Sequence, residues 1–115
     1  MNILIFTVSD LNYFEKFSLF LKSFILNESN KDNVKYVHFF IFKDNNEKNI
    51  IMKKVIKNFY NYYELVDLKF IKYDNLKGNI KNFSCHFRFN GFKILSKIYQ
   101  NHIIIYSDVD AIISN

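Results

Sequence analysis

Val34-Lys35-Tyr36-Val37-His38-Phe39-Phe40-Ile41-Phe42 is an apolar run rich in Val, Ile and Phe. Such a run reads as a buried strand of a parallel sheet. Upstream, Asn2 to Thr7 is a second apolar run of the same kind. Between the two, Phe14, Phe17, Leu21 and Phe24 recur at i, i+3, i+7 and i+10, one face of a helix from about Tyr13 to Asn27. Asn12, with Glu15 three residues on, provides a capping pair for its start.

Downstream, a second helix is expected from about Asn46 to Tyr63, opened by Asp44 and Glu47 and burying Met52, Val55, Phe59 and Tyr62. Leu65 to Tyr73 reads as a third strand with partial alternation, and Asp74 to Asn82, containing Gly78, as a loop. A third helix from about Ser84 to Gln100 carries Phe92, Leu95 and Tyr99 on one side. Its Gly91 costs on the order of 1 kcal/mol against Ala and marks a place where that helix could break. His102 to Ser107 is the fourth strand. Strands alternating with helices across short connections predict an α/β fold, a Rossmann-like parallel sheet with flanking helices and right-handed crossovers. In such sheets ligands bind beyond the carboxyl ends of the strands.

At 115 residues, half of them hydrophobic, the chain suits one small domain rather than two. The aromatic excess, 14 Phe and 8 Tyr with no Trp, accompanies many Asn, Lys and Ile and reflects an AT-rich coding sequence more than a functional demand. The formal net charge of +5 fits an anionic ligand, an acidic membrane surface or nucleic acid. The lysines from Lys48 to Lys97 form no dense block, however, and read as a solvated surface. The single Cys85 has no internal disulfide partner and is compatible with a reducing, cytoplasmic setting. No leader is evident, and Phe17 to Leu26 is interrupted by Lys22 and Ser23, short of the roughly 20 apolar residues a membrane span needs. The expectation is a soluble protein, peripheral to a membrane at most.

The chemistry concentrates at Ser107-Asp108-Val109-Asp110, which follows the apolar Ile103-Ile104-Ile105-Tyr106. Two carboxylates at i and i+2 on leaving a strand can aim oxygens at one divalent cation, directly or through water, and that cation can hold a diphosphate. A polar turn is the plain alternative. Thr7-Val8-Ser9-Asp10 leaves the first strand, so parallel pairing brings Asp10 to the same edge as Asp108 and Asp110. Asp10 could cap the first helix, but Asn12 and Glu15 already suit that task. Tyr13 could stack on a nucleobase or be an ordinary surface aromatic. Arg88, among Phe87, Phe89 and Phe92, must snorkel or find an anion, either a nearby Asp or a phosphate or carboxylate. His86 and His102 read as ordinary residues. Cys85 lacks the partners of a nucleophile. There is no Gly-rich phosphate loop, no Cys pair for zinc and no Ser-containing elbow.

Asn2 to Tyr13, a following helix containing Ser23, and the terminal Ile103-Ile-Ile-Tyr-Ser-Asp-Val-Asp110-Ala-Ile-Ile resemble the first half of a GT-A type glycosyltransferase of the nucleotide-diphospho-sugar transferase superfamily, nearest to the retaining family 8 enzymes. The resemblance implies that Thr7, Asp10 and Tyr13 bind the nucleotide end of a nucleotide-diphosphate sugar, a UDP-sugar foremost. It implies that Asp108 and Asp110 hold Mn²⁺ or Mg²⁺. Arg88 with Phe89 is similar to an Arg that faces the nucleotide sugar in that family, although the spacing to the Asp-x-Asp is longer here. The implied reaction is hexosyl transfer to a glycan or lipid-linked acceptor, with no nucleic acid partner. The likeness spans nearly the whole chain but only about half of the family's domain. The family's acceptor site and its further His metal ligand come after the Asp-x-Asp, so the expectation is a fragment, or a shortened protein without catalysis. The sheet would then carry an uncovered, pairing-prone edge at Ile103 to Tyr106.

Two other readings remain at this point. Haloacid-dehalogenase-type phosphohydrolases also place Asp-x-Asp after an apolar strand, but there the motif strand comes first, whereas here it comes last. A non-catalytic α/β binding module with a basic surface would bind an acidic partner or nucleic acid without metal, and ever more weakly as salt is raised.

Overall fold

A computed structural model describes residues 2–27, 34–59, 66–73 and 80–109. Along the chain run β1 (Asn2–Ser9), a 3-10 turn (Leu11–Tyr13), α1 (Phe14–Asn27), β2 (Val34–Phe42), α2 (Asn45–Phe59), β3 (Val66–Lys72), α3 (Ile80–Ile98) and β4 (His102–Tyr106). All strand pairs are parallel, in the spatial order β3-β2-β1-β4. The chain steps outward from β1 through β2 to β3, then returns past β1 to lay down β4. This is the expected α/β, Rossmann-like sheet with flanking helices.

Successive side chains of a strand point to opposite faces, so the sheet divides the core into two layers. On one face, Phe17, Phe20, Leu21 and Phe24 of α1 and Ile51 and Val55 of α2 pack against Tyr36, Phe40 and Phe42 of β2. On the other, Phe87 and Leu95 of α3 pack against Leu4, Phe6 and Val8 of β1 and Val37, Phe39 and Ile41 of β2. With both faces covered, β2 is buried at every position from Tyr36 to Phe42, which is why its sequence hardly alternates. Among the described residues, α3 is the helix that covers β4. Ile104 and Tyr106 of β4 join the α3-side core, while Ile103 and Ile105, on the opposite face, are 46% and 44% exposed.

Several local expectations change. Asn12 does not cap α1. Asp10 is the cap, its Oδ1 accepting from the Asn12 backbone N–H at 2.9 Å and opening the 3-10 turn that leads into α1. The second cap is as expected, with Asp44 Oδ1 accepting from Glu47 N–H at 2.8 Å and Glu47 reaching back to the Lys43 N–H. In α2 Ile51 is fully buried and Val55 is buried as expected, while Met52 is half-buried beside Ile51.

The helix α3 begins at Ile80, inside the stretch expected to be a loop, and runs unbroken through Gly91. A Cβ at Gly91 would lie 2.6 Å from Phe6 Cε2, so the glycine admits the Phe6 ring against the helix rather than breaking it. The core side of α3 is accordingly Phe87, Gly91 and Leu95, with Phe92 on its flank, 38% exposed and edge-on to Phe6. Residues 74–79 with Gly78, Tyr62, and the side chains of Phe59 and Cys85 lie outside the described part. Among the described residues no helix is long and apolar enough to cross a membrane.

Candidate functional site

The direction of winding reverses between β1 and β4, and in open parallel sheets a ligand crevice opens at such a point beyond the carboxyl ends. Phe6 is paired with Tyr106, and Ser107 N–H still donates to Phe6 O at 3.0 Å. That bond carries β4 to the threshold of Asp108, while β1 continues to Ser9 and Asp10. Asp10 and Asp108, from opposite ends of the chain, thus leave one sheet edge on adjacent strands. Val109 then tucks into the α1-side core in the same cluster as Phe14, anchoring the turn that follows β4. Asp110 lies outside the described residues.

Asp108 is exposed and accepts a hydrogen bond from the Tyr106 hydroxyl to Oδ1 at 3.1 Å. The guanidinium of Arg88 lies 5.8 Å from the centroid of the same Tyr106 ring and 5.2 Å from that of Phe89. Phe6 meets Tyr106 edge-on at 5.3 Å and fixes its ring from the core side. Arg88, Tyr106 and Asp108 therefore form a continuous set along the α3 side of the crevice. Sequence reasoning singled out the first and last of these; Tyr106, which links them, it took only as the end of an apolar run.

On the other side of β1, the nearly buried Asp10 borders an open cleft of ≈ 370 Å³ whose walls include Asn12, Lys43, Asp44 and Glu47. Tyr13 is half-buried, packed on the α1-side core, with Lys16 Nζ over its ring at 5.1 Å. Thr7 is fully buried with its hydroxyl turned to Tyr36 and His38. Its place is beneath the edge, as a support, because a side chain pointing into the α1 layer cannot reach a ligand beyond the strand end.

No family model, curated protein or solved structure matches this chain. What the edge can do follows from its residues alone.

Thr7 belongs to a buried polar ladder. Tyr36 Oη lies 2.6 Å from Thr7 Oγ1, which lies 2.5 Å from His38 Nδ1, and His38 Nε2 lies 2.8 Å from Ser9 Oγ. The ladder crosses β1 and β2 on the face covered by α1, with Phe17 and Phe40 against the imidazole at 4.1 and 4.3 Å. Burial pushes the His38 pKa well below its ordinary value, so the ring is neutral. Burial likewise raises that of Tyr36, and the Thr7 hydrogen bond pulls the other way. Every hydroxyl and ring nitrogen in the ladder has a partner, as burial requires. It ends at Ser9, beside Asp10, and braces the carboxyl end of β1. The sequence signal was present in Thr7, Ser9 and His38 as polar positions within apolar strands; their meeting depends on strand register.

Among the described residues no group of three or more His, Cys, Asp or Glu could hold a metal ion. Asp108, with Asp110 two residues on, offers a pair of hard carboxylates. One or two carboxylates with substrate phosphates and water suffice for Mg²⁺.

Proposed function

We propose that the carboxyl edge binds a nucleotide-diphosphate sugar, a UDP-sugar foremost, together with Mn²⁺ or Mg²⁺. In this reading the chain is the nucleotide-binding half of a GT-A type, family 8-like glycosyltransferase that transfers a hexose to a glycan or lipid-linked acceptor. The observation that carries the reading is the order β3-β2-β1-β4, which sets the Asp108 exit of β4 beside the Asp10 exit of β1 at the reversal point. Asp108 and Asp110 are the residues that would hold the cation, and their hard oxygens fit it. When bound, the cation neutralises charge on the leaving diphosphate.

The remaining roles belong to the chain. The Tyr106 hydroxyl orients the Asp108 carboxylate. Arg88, held against Tyr106 and Phe89, supplies fixed positive charge and paired donors on the α3 side, where a diphosphate gains most from them. The cleft at Asp10 is the place for the nucleotide base, with Tyr13 close by in sequence and Lys43 on its wall. Thr7 acts through the ladder and touches no ligand. A lone thiol and a nucleotide-sugar ligand both suit the cytoplasm.

The test is thermal unfolding with and without Mn²⁺ plus UDP, repeated on Asp108→Asn/Asp110→Asn. A ligand at a hundred times its Kd stabilises by about 2.7 kcal/mol, and that shift is expected only with metal and only in the unsubstituted protein. A cooperatively unfolding chain whose melting temperature ignores both additions refutes the site.

A further inference from the structure

Lysines that look scattered along the sequence are gathered by the fold. The helices α1 and α2 cover the same face of the sheet and together carry six lysines against two glutamates, most of the chain's net charge of +5. Their outward positions are not uniformly polar. Leu19 in α1 is 58% exposed and Ile50 in α2 is 48% exposed, although both helices bury other residues in the core. Between the helices runs an open groove of ≈ 760 Å³. Its walls include Leu19 and Lys22 from α1 and Lys54 and Lys57 from α2, and Glu15 is its one carboxylate among the described residues.

We propose that this α1–α2 layer docks on an anionic lipid bilayer. Lys22, Lys53, Lys54 and Lys57, all exposed, lie at headgroup level, and Leu19 and Ile50 enter the boundary between headgroups and acyl chains. Charge complementarity selects an acidic partner, because lysines near an anionic leaflet are attracted over about a Debye length. The protruding aliphatic side chains select a bilayer over a soluble polyanion, since a membrane interface rewards basic and apolar side chains on one helical surface and a fully solvated polyanion does not reward the apolar ones. Leu11 and Asn12 border both this groove and the cleft at Asp10, so docking brings the carboxyl edge close to the membrane. The proposal uses neither metal nor nucleotide and stands or falls apart from the transferase reading.

Co-sedimentation of the full chain tests it, with vesicles of phosphatidylcholine alone or mixed equally with phosphatidylglycerol, without metal or nucleotide, at low and high salt. Binding is expected on the anionic vesicles only, weakening with salt. Lys54→Glu/Lys57→Glu should lower the partition coefficient by about tenfold or more. Leu19→Ser/Ile50→Ser should lower it by about tenfold at unchanged charge. All four positions are exposed, and an unchanged melting temperature shows that each variant is folded. Failure to bind anionic vesicles overturns the proposal. So does vesicle binding that ignores Leu19→Ser/Ile50→Ser and is competed equally well by a short DNA duplex or polyglutamate, which would assign the lysines to a soluble polyanion.

Discussion

His38 has both ring nitrogens hydrogen-bonded and no solvent contact, and its lowered pKa keeps it neutral when folded. The unfolded chain binds a proton there below its ordinary value of 6.5 and the folded chain does not. The His38 contribution is therefore complete above that value and is lost as pH falls below it, at up to about 1.4 kcal/mol per pH unit. Melting temperatures measured between neutral and mildly acidic pH should fall with pH, and His38→Gln should flatten that dependence. The same variant strips partners from buried hydroxyls of Thr7 and Ser9, so at neutral pH it should be less stable by about 1–3 kcal/mol. Equal pH slopes in both proteins would show that another group titrates. Residue identity announced that something polar was buried in two apolar strands. Only the register, Thr7 beside His38, shows that these groups satisfy one another.

At the scale of the element, Gly91 tests whether helix propensity or packing governs α3. Propensity alone favours Gly91→Ala by about 1 kcal/mol. The added Cβ, 2.6 Å from Phe6 Cε2 with Phe39 next to it, forces a ring already held edge-on by Phe39, Phe92 and Tyr106 to move. Overpacking of this kind costs about 1–3 kcal/mol, so net destabilisation is expected in chemical unfolding. A more stable variant would mean that Phe6 rotates away freely. Most elements were legible because amphipathic period and β-rich runs are local signals, and the Asp44 and Glu47 cap was legible for the same reason. The start of α1 was misread because Asn12 with Glu15 and Asp10 with Asn12 are both reasonable local pairings. The choice fell to Asp10, which the end of β1 buries beside the turn.

For the whole molecule, the two edges of the sheet differ. The β3 edge carries Asp67, Lys69 and Lys72, with Asp67 and Lys69 paired at 3.4 Å. β4 reads His102-Ile-Ile-Ile-Tyr106 and bears no carboxylate, lysine or proline that would deter another strand. Ile103 and Ile105 are both exposed on the face opposite α3. Concentration-dependent self-association is expected by sedimentation velocity, and Ile103→Lys/Ile105→Lys should shift the chain toward monomer with little loss of stability. Sedimentation that is unchanged by the substitution would clear β4 of that role. The α/β class, the order of elements, the burial of β2 and the Asp-x-Asp after β4 can all be read from the chain alone, because periodicity, composition and spacing are local properties. That β4 lies against β1, that Tyr106 joins Arg88 to Asp108, that Thr7 turns inward, and that the lysines of α1 and α2 share one face become visible only in the folded chain. Those outcomes depend on strand order and register, which bring together residues too far apart in the chain for any local pattern to relate them.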